Sequence, residues 1–363
     1  MVDEGKSHPQ HATVRPDWLA SYTEEVIDPG QALIDAHHHF YDRPGARYLL
    51  HDMLDDIASG HDLRATVFVQ ARAMYRASGP EEMKPVGETE FANGVAAMSA
   101  SSGYGPTRFC AGIIGSADLM SGDAVQPVLE AHVAAAPARF RGIRHTAAWD
   151  RDTSLLNPAY TVSEEMLDTP AFRAGFAHLA PLGLSFDAWL FFHQLPRLAD
   201  LARSFPQTAI VLDHCGGVLG IGPYLGKGDE VFARWLAGMR ELADCSNLSV
   251  KLGGLGMRMC GFGFDARSRP ASSRDLAEAW QPWMETAIEL FGAGRCMFES
   301  NFPVDKGSYG HVVGWNALKR VAAGASQDER DDLCWRSAAR FYRLDAVETG
   351  RRAERWVSTN AGQ

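Results

Sequence analysis

Eight short segments rich in β-branched and apolar residues recur along this chain, and most of the stretches between them carry helical spacing. The segments are ALIDAHHHF (32–40), RATVFVQ (64–70), FCAGIIGSADL (109–119), FRGIRHTA (140–147), LSFDAWL (184–190), AIVLDHCGG (209–217), LSVKLGG (248–254) and CMFESNFP (296–303). Helical spacing covers 91–100, 123–136, 170–182, 193–205, 229–244 and 274–291, and a closing helical pair covers 312–324 and 327–342. Strands alternating with helices imply parallel βαβ units. Eight repeats favour a closed (β/α)8 TIM barrel over an open doubly wound sheet, and no GxGxxG follows the first strand. The expected organisation is an irregular N-terminal arm over 1–31, a single barrel domain over 32–345 and a C-terminal tail over 346–363.

The connections after strands two, four and seven are long (71–90, 148–169 and 255–271). In a barrel these lie on the C-terminal face, where active sites are built. Lys and Arg number 35 against 45 Asp and Glu, a formal charge of −10, which argues against nucleic acid or an anionic membrane as partner. A few arginines in one pocket still permit a small anionic substrate. No apolar run approaches the roughly 20 residues that span a bilayer. The opening MVDEGKSHPQHATVRPDW lacks the apolar core of a signal peptide, and the six cysteines form no CxxC pair. The expectation is a cytoplasmic enzyme, assembled as a homo-oligomer.

Chemistry concentrates at strand ends. Strict alternation puts Asp35, His37 and His39 on one face of the first strand and His38 on the other. Two imidazoles so spaced can converge on one divalent ion. Arg144 ends the fourth strand beside His145, and Arg72 follows the second; a guanidinium fork suits a carboxylate or carbonyl oxygen. Asp187 and His193 lie at or just beyond the fifth strand, where a substrate hydroxyl or the orientation of another histidine would employ them. Tyr75, in the long loop after strand two, could floor a pocket for a ring.

IDAHHHFYD at the first strand resembles the opening motif of the amidohydrolase superfamily, in its branch of metal-dependent hydrolases similar to sugar lactonases and pyrone-dicarboxylate lactonase. GIRH (142–145), LDHCGG (212–217) and a last strand ending Ser300-Asn301-Phe302-Pro303 extend the resemblance over roughly 33–345. The resemblance implies that His37 and His39 are the first-strand pair, and that His214 ligates metal or activates water. It also implies an aspartate base where this chain has Asn301, which cannot take a proton at neutral pH. Glu299 shares the face of residue 301 and stands where the family commonly shows glycine. It is either the compensating carboxylate and a fourth metal ligand beside His37, His39 and His214, or a structural partner of a barrel lysine such as Lys251. Asp305 is a second candidate base.

The metal implied is Zn²⁺ or Mn²⁺, with metal-free catalysis also open, since a lactone is an activated ester. The leading function is a hydrolase opening a lactone or related cyclic ester. The alternatives are a metal-dependent non-oxidative decarboxylase of an aromatic or enoic acid, and a degenerate barrel that binds a ligand without turnover.

Overall fold

The computed structural model describes residues 11–344. The expected tail over 346–363 lies outside the described residues, as do residues 1–10 of the arm. Eight parallel strands follow one another around a barrel in sequence order: β1 (Ala32–His38), β2 (Asp62–Val69), β3 (Arg108–Gly115), β4 (Phe140–Thr146), β5 (Ser185–Trp189), β6 (Ile210–Leu212), β7 (Leu248–Leu252) and β8 (Cys296–Phe298). Each is followed by a helix: α1 (Leu50–Ile57), α2 (Val86–Ala100), α3 (Gln126–Ala135), α4 (Pro170–Phe176), α5 (Leu195–Ser204), α6 (Gly228–Ala243), α7 (Ser273–Phe291) and α8 (His311–Val321). Local chemistry starts several of them. Thr169 Oγ1 accepts from the Phe172 amide beside Pro170, and Ser272 with Asp275 forms a reciprocal capping box on α7. The long connections hold short 3₁₀ turns instead of open loop.

The barrel closes without a ladder. Between β8 and β1 there is one bridge, His38 to Phe302, with the Asn301 amide donating to the His37 carbonyl and the His39 amide to the Phe302 carbonyl. Asp35 completes this seam, accepting from the Ser300 amide at 2.8 Å and the Ser300 hydroxyl at 2.5 Å. The expectation that Asp35 shares a face with His37 is therefore corrected. Ile34 and Ala36 pack inside the barrel with Val67, Val211 and Met297, and the pairing of β1 is irregular between Asp35 and His38. That irregularity turns His37 inward and leaves Asp35 between strands.

Two further segments shape the ends. Gln327–Asp331, a π turn over Asp332–Arg336 and Ser337–Phe341 run on to Tyr342, whose ring fills the N-terminal end of the barrel. At the other end, a hairpin of Tyr41–Arg43 and Ala46–Tyr48 folds back directly after β1. Neither this hairpin nor α1 was among the elements expected. Among the described residues no helix is long and apolar enough to cross a membrane.

Candidate active site

Charge lines the inside of the barrel along β5, just beyond β6 and along β7. Lys251 is fully buried, with Nζ 2.6 Å from Asp187 Oδ2, 3.0 Å from Asp213 Oδ1 and 3.1 Å from His37 Nδ1. Burial works against its charge, but Asp187, Asp213 and Glu299 hold the ammonium above its ordinary range. Asp187 also accepts from Tyr342 at 2.8 Å, so a polar column runs from the barrel floor to the histidines. Asp187 was expected to meet substrate or orient His214; its partners are Lys251 and Tyr342 instead, because β5 places it too deep.

Above this column the histidines converge. His37 Nε2 lies 3.1 Å from His39 Nε2, and the His37 ring lies 4.5 Å from that of His214. His39 Nδ1 donates to the Val69 carbonyl at 2.8 Å, which leaves its Nε2 as an acceptor. His214 Nδ1 donates to Glu299 Oε1 at 2.7 Å, and the His214 amide donates to the same oxygen at 3.1 Å. Glu299 Oε2 lies 3.2 Å from His37 Nδ1. Both Glu299 oxygens therefore lie behind the imidazoles, and the carboxyl is not part of the cavity wall.

Strain accompanies this placement. His214 (φ 54°), Arg72 (φ 57°) and Asn301 (φ 52°) all sit in the left-handed region, which L-residues occupy at a cost. Gly254 is required opposite His214, since a Cβ there would come within 2.5 Å of the imidazole.

Burial sets the protonation. It holds the His214 imidazole down to about 3 and pushes His37 and His39 well below their usual range. Burial, reinforced by Asp213, raises the Glu299 carboxyl well above the carboxylate range.

A cavity of about 350 Å³ opens onto this centre, walled by His39, His214, Arg144 and Asn301 on the inside and by Arg43, Arg72, Tyr160 and His11 further out. Among the described residues none of its wall is Asp or Glu. Arg144 NH1 lies 3.2 Å from His37 Nε2 and NH2 donates to the Gln70 carbonyl at 2.5 Å. Arg72 is held to the Ala159 carbonyl, with its guanidinium 5.1 Å from the Tyr160 ring centroid. Asn301 Nδ2 donates to Asp305 Oδ1 at 2.9 Å, and burial lifts Asp305 to about 7. Asp305 is thus beneath Asn301, outside the cavity wall.

Three expected substrate residues lie elsewhere. His145 points to the helix side of β4, its Nδ1 3.3 Å from the Ala117 carbonyl and its ring against Phe172, as alternation after Arg144 requires. With Tyr75 it lines a neighbouring cavity of about 730 Å³, which shares Arg72 and Arg144 with the first. His193 pairs with Asp150 at 2.9 Å and stacks on Tyr224, joining the loop after β4 to that after β6. Conversely, Asp213, Arg43 and His11 were not foreseen. Asp213 had a signal, being in register with inward Val211. Arg43 had a weaker one, the Pro44-Gly45 turn after β1.

His37, His214 and Glu299 each offer a metal-ligating atom, all within 4.8 Å of one another. Glu299 Oε1 is engaged by His214 and the carboxyl is turned away from the cavity. His37 Nδ1 faces the Lys251 ammonium, which can only donate to it, so the free acceptor of the His37–His39 pair is His39 Nε2, on the cavity wall. Asn301 Oδ1 is buried with no hydrogen-bond partner among the described residues. The His39 Nε2 nitrogen and the Asn301 amide oxygen are of the donor type that takes a first-row divalent ion.

Fold and site together define a (β/α)8 barrel with a histidine pair at the end of its first strand, and the comparisons give its family. The chain belongs to the Amidohydrolase family, whose model matches residues 34–344. It is 32% identical to the uncharacterized protein y4mH of Sinorhizobium fredii over 86% of this chain and 99% of that protein. It is 27% identical to the L-fucono-1,5-lactonase of Burkholderia ambifaria over 75% of this chain and 88% of that enzyme. Among solved structures, an amidohydrolase from Burkholderia multivorans with bound zinc is 27% identical, with a TM-score of 0.64 over 86% of this chain and 99% of that one.

Proposed function

We propose that the protein hydrolyses a small lactone that carries a carboxylate. The observation that supports this most is the cavity wall: acceptor histidines and Arg144 at the inner end, Arg43 and Arg72 outside, and no acidic side chain among them. Relatives named as L-fucono-1,5-lactonases favour a cyclic ester as the bond attacked.

In this reading the substrate carboxylate meets Arg43 and Arg72, and the lactone carbonyl lies against Arg144, whose positive charge stabilises the oxyanion as it forms. His214 takes the proton of the attacking water at Nε2, because Nδ1 already donates to Glu299. Glu299 acts through His214, accepting the Nδ1 proton at Oε1 and so fixing the tautomer that leaves Nε2 as the base. Asn301 Oδ1 can accept from the water and orient it without taking its proton. The same imidazolium then returns a proton to the alkoxide released by ring opening. A divalent ion held at His39 and Asn301 would add Lewis-acid polarisation of the carbonyl.

The test is acid release against a paired panel, 5-oxotetrahydrofuran-2-carboxylate and unsubstituted γ-butyrolactone, with headspace CO₂ measured in parallel on hydroxybenzoates. The expected result is faster turnover of the carboxylated lactone and no CO₂ from any substrate. CO₂ evolution without lactone hydrolysis would move the assignment to a decarboxylase.

A further inference from the structure

The family match begins at residue 34, yet the chain before it is not loose. From β1 the arm climbs the outside of the barrel towards the cavity. Lys319 Nζ donates to the Ile27 and Asp28 carbonyls, each at 2.8 Å, and Asn316 bonds the Ile27 amide at 2.9 Å and the Glu25 carbonyl at 2.8 Å. Glu24 accepts from the Ser273 amide at 2.7 Å, at the start of α7. Higher up, Trp18 Nε1 donates to the Arg267 carbonyl at 3.1 Å and Arg15 to the Asp265 carbonyl, both in the loop after β7. Ala12 then packs on the loop after β8 so closely that a Cβ at Gly307 would lie 2.4 Å from the Ala12 carbonyl oxygen. The next residue, His11, is part of the cavity wall.

Eight anchors of this kind are more than a passive segment needs, and they end at the cavity walled by His39 and His214. That cavity is at the small end of ligand-pocket volumes, so a single bound molecule reaches every wall. The groups opposite the histidine centre are Arg43 from the hairpin, Arg72 from the end of β2, and His11. All three are nitrogen donors. We infer that the arm is a built part of the active site, and that His11 binds the substrate's anionic group together with Arg43 and Arg72. The inference rests on the carboxylated-lactone reading for the identity of that group. Its logic is that of a specificity rim: hydrogen bonds to a carboxylate discriminate a charged from a neutral lactone without touching the reacting atoms.

The experiment uses the full chain, His11→Ala, His11→Gln and Trp18→Ala. Two readouts are taken: calorimetric affinity for 2-hydroxyglutarate, the ring-opened product of the carboxylated probe, and the ratio of kcat/KM for the carboxylated and unsubstituted lactones. The expected result is a loss of about tenfold in affinity and in that ratio for His11→Ala, the size of one charge-assisted hydrogen bond. His11→Gln keeps an N–H donor and should recover part of the loss. Trp18→Ala touches no part of the cavity, and by loosening the arm should give a smaller defect of the same kind. Unchanged affinity and ratio in His11→Ala would overturn the inference, as would failure of the wild-type protein to bind 2-hydroxyglutarate. A His11-dependent affinity in a protein that hydrolyses neither lactone would uphold the rim and reject the lactonase reading.

Discussion

Glu299 is the residue at which this site departs most from a simple carboxylate base. Its Oε1 accepts from His214 Nδ1 at 2.7 Å, so it fixes the tautomer of that ring without meeting substrate. Glu299→Gln preserves the volume but can turn an amide N–H₂ towards His214 Nδ1, which would reverse the tautomer that leaves Nε2 as the base. We expect kcat to fall by about 100-fold or more with KM changed far less, the signature of a lost transition-state interaction. Steady-state kinetics with thermal melts, to show that the fold persists, would check this. Asn301→Asp is the informative contrast. The new carboxyl would face Asp305 across a 2.9 Å contact that now carries a hydrogen bond, and it would add negative charge to a wall that holds none. The expected outcome is weaker binding of an anionic substrate and no gain in rate. A many-fold rise in kcat would instead mean that proton transfer runs through position 301.

At the scale of elements, the eight strands were legible because each is a β-rich run bounded by Gly, Pro or polar clusters. Their inward residues followed from alternation on β4, β7 and β8, which brought Arg144, Lys251, Glu299 and Asn301 to the interior. Alternation failed on β1, where the irregularity depends on how β8 closes the barrel, a contact some 265 positions away in the chain. The courses of the arm and of Tyr342 were hidden for the same reason: both are fixed by non-local hydrogen bonds that leave no period in the sequence. His214 was readable as a site residue from LDHCGG, but its link to Glu299 was not. The β1–β8 seam is therefore the element most exposed to mutation. Asp35→Ala removes the acceptor shared by the Ser300 amide, the Ser300 hydroxyl and the His37 amide. Three buried donors left without it should cost about 3 kcal/mol or more. Urea unfolding would measure that cost. A loss below about 1 kcal/mol would show that the seam is held by its backbone bonds alone.

For the whole molecule, the buried titratable groups make stability a function of pH whose sign can be worked out. Nine histidines (His37, His38, His39, His61, His132, His145, His193, His214 and His311) are held below their ordinary range, burial being the leading cause in each. The unfolded chain protonates them near pH 6.5 and the folded chain resists, so folding loses stability as pH falls below that value. Four carboxyls act in the opposite sense. Burial raises Asp35, Glu88 and Asp305 each to about 7, and Glu299 well above its usual range. The folded chain keeps these protons where the unfolded chain has released them near pH 4, so their stabilisation is lost as pH rises through 7. Between about pH 5 and 6.5 the nine histidines oppose the four carboxyls and outnumber them, and each net proton changes stability by about 1.4 kcal/mol per pH unit. Stability should therefore climb by at least roughly 2 kcal/mol over that interval. Above pH 6.5 the histidines fall silent and only the carboxyls remain, so the curve should turn downwards between about pH 6.5 and 8. Urea denaturation at fixed ionic strength across this range would check both limbs. A stability that declines steadily from pH 5 upwards would mean that the carboxyls dominate, and that the histidines of the barrel mouth are more hydrated than their packing implies.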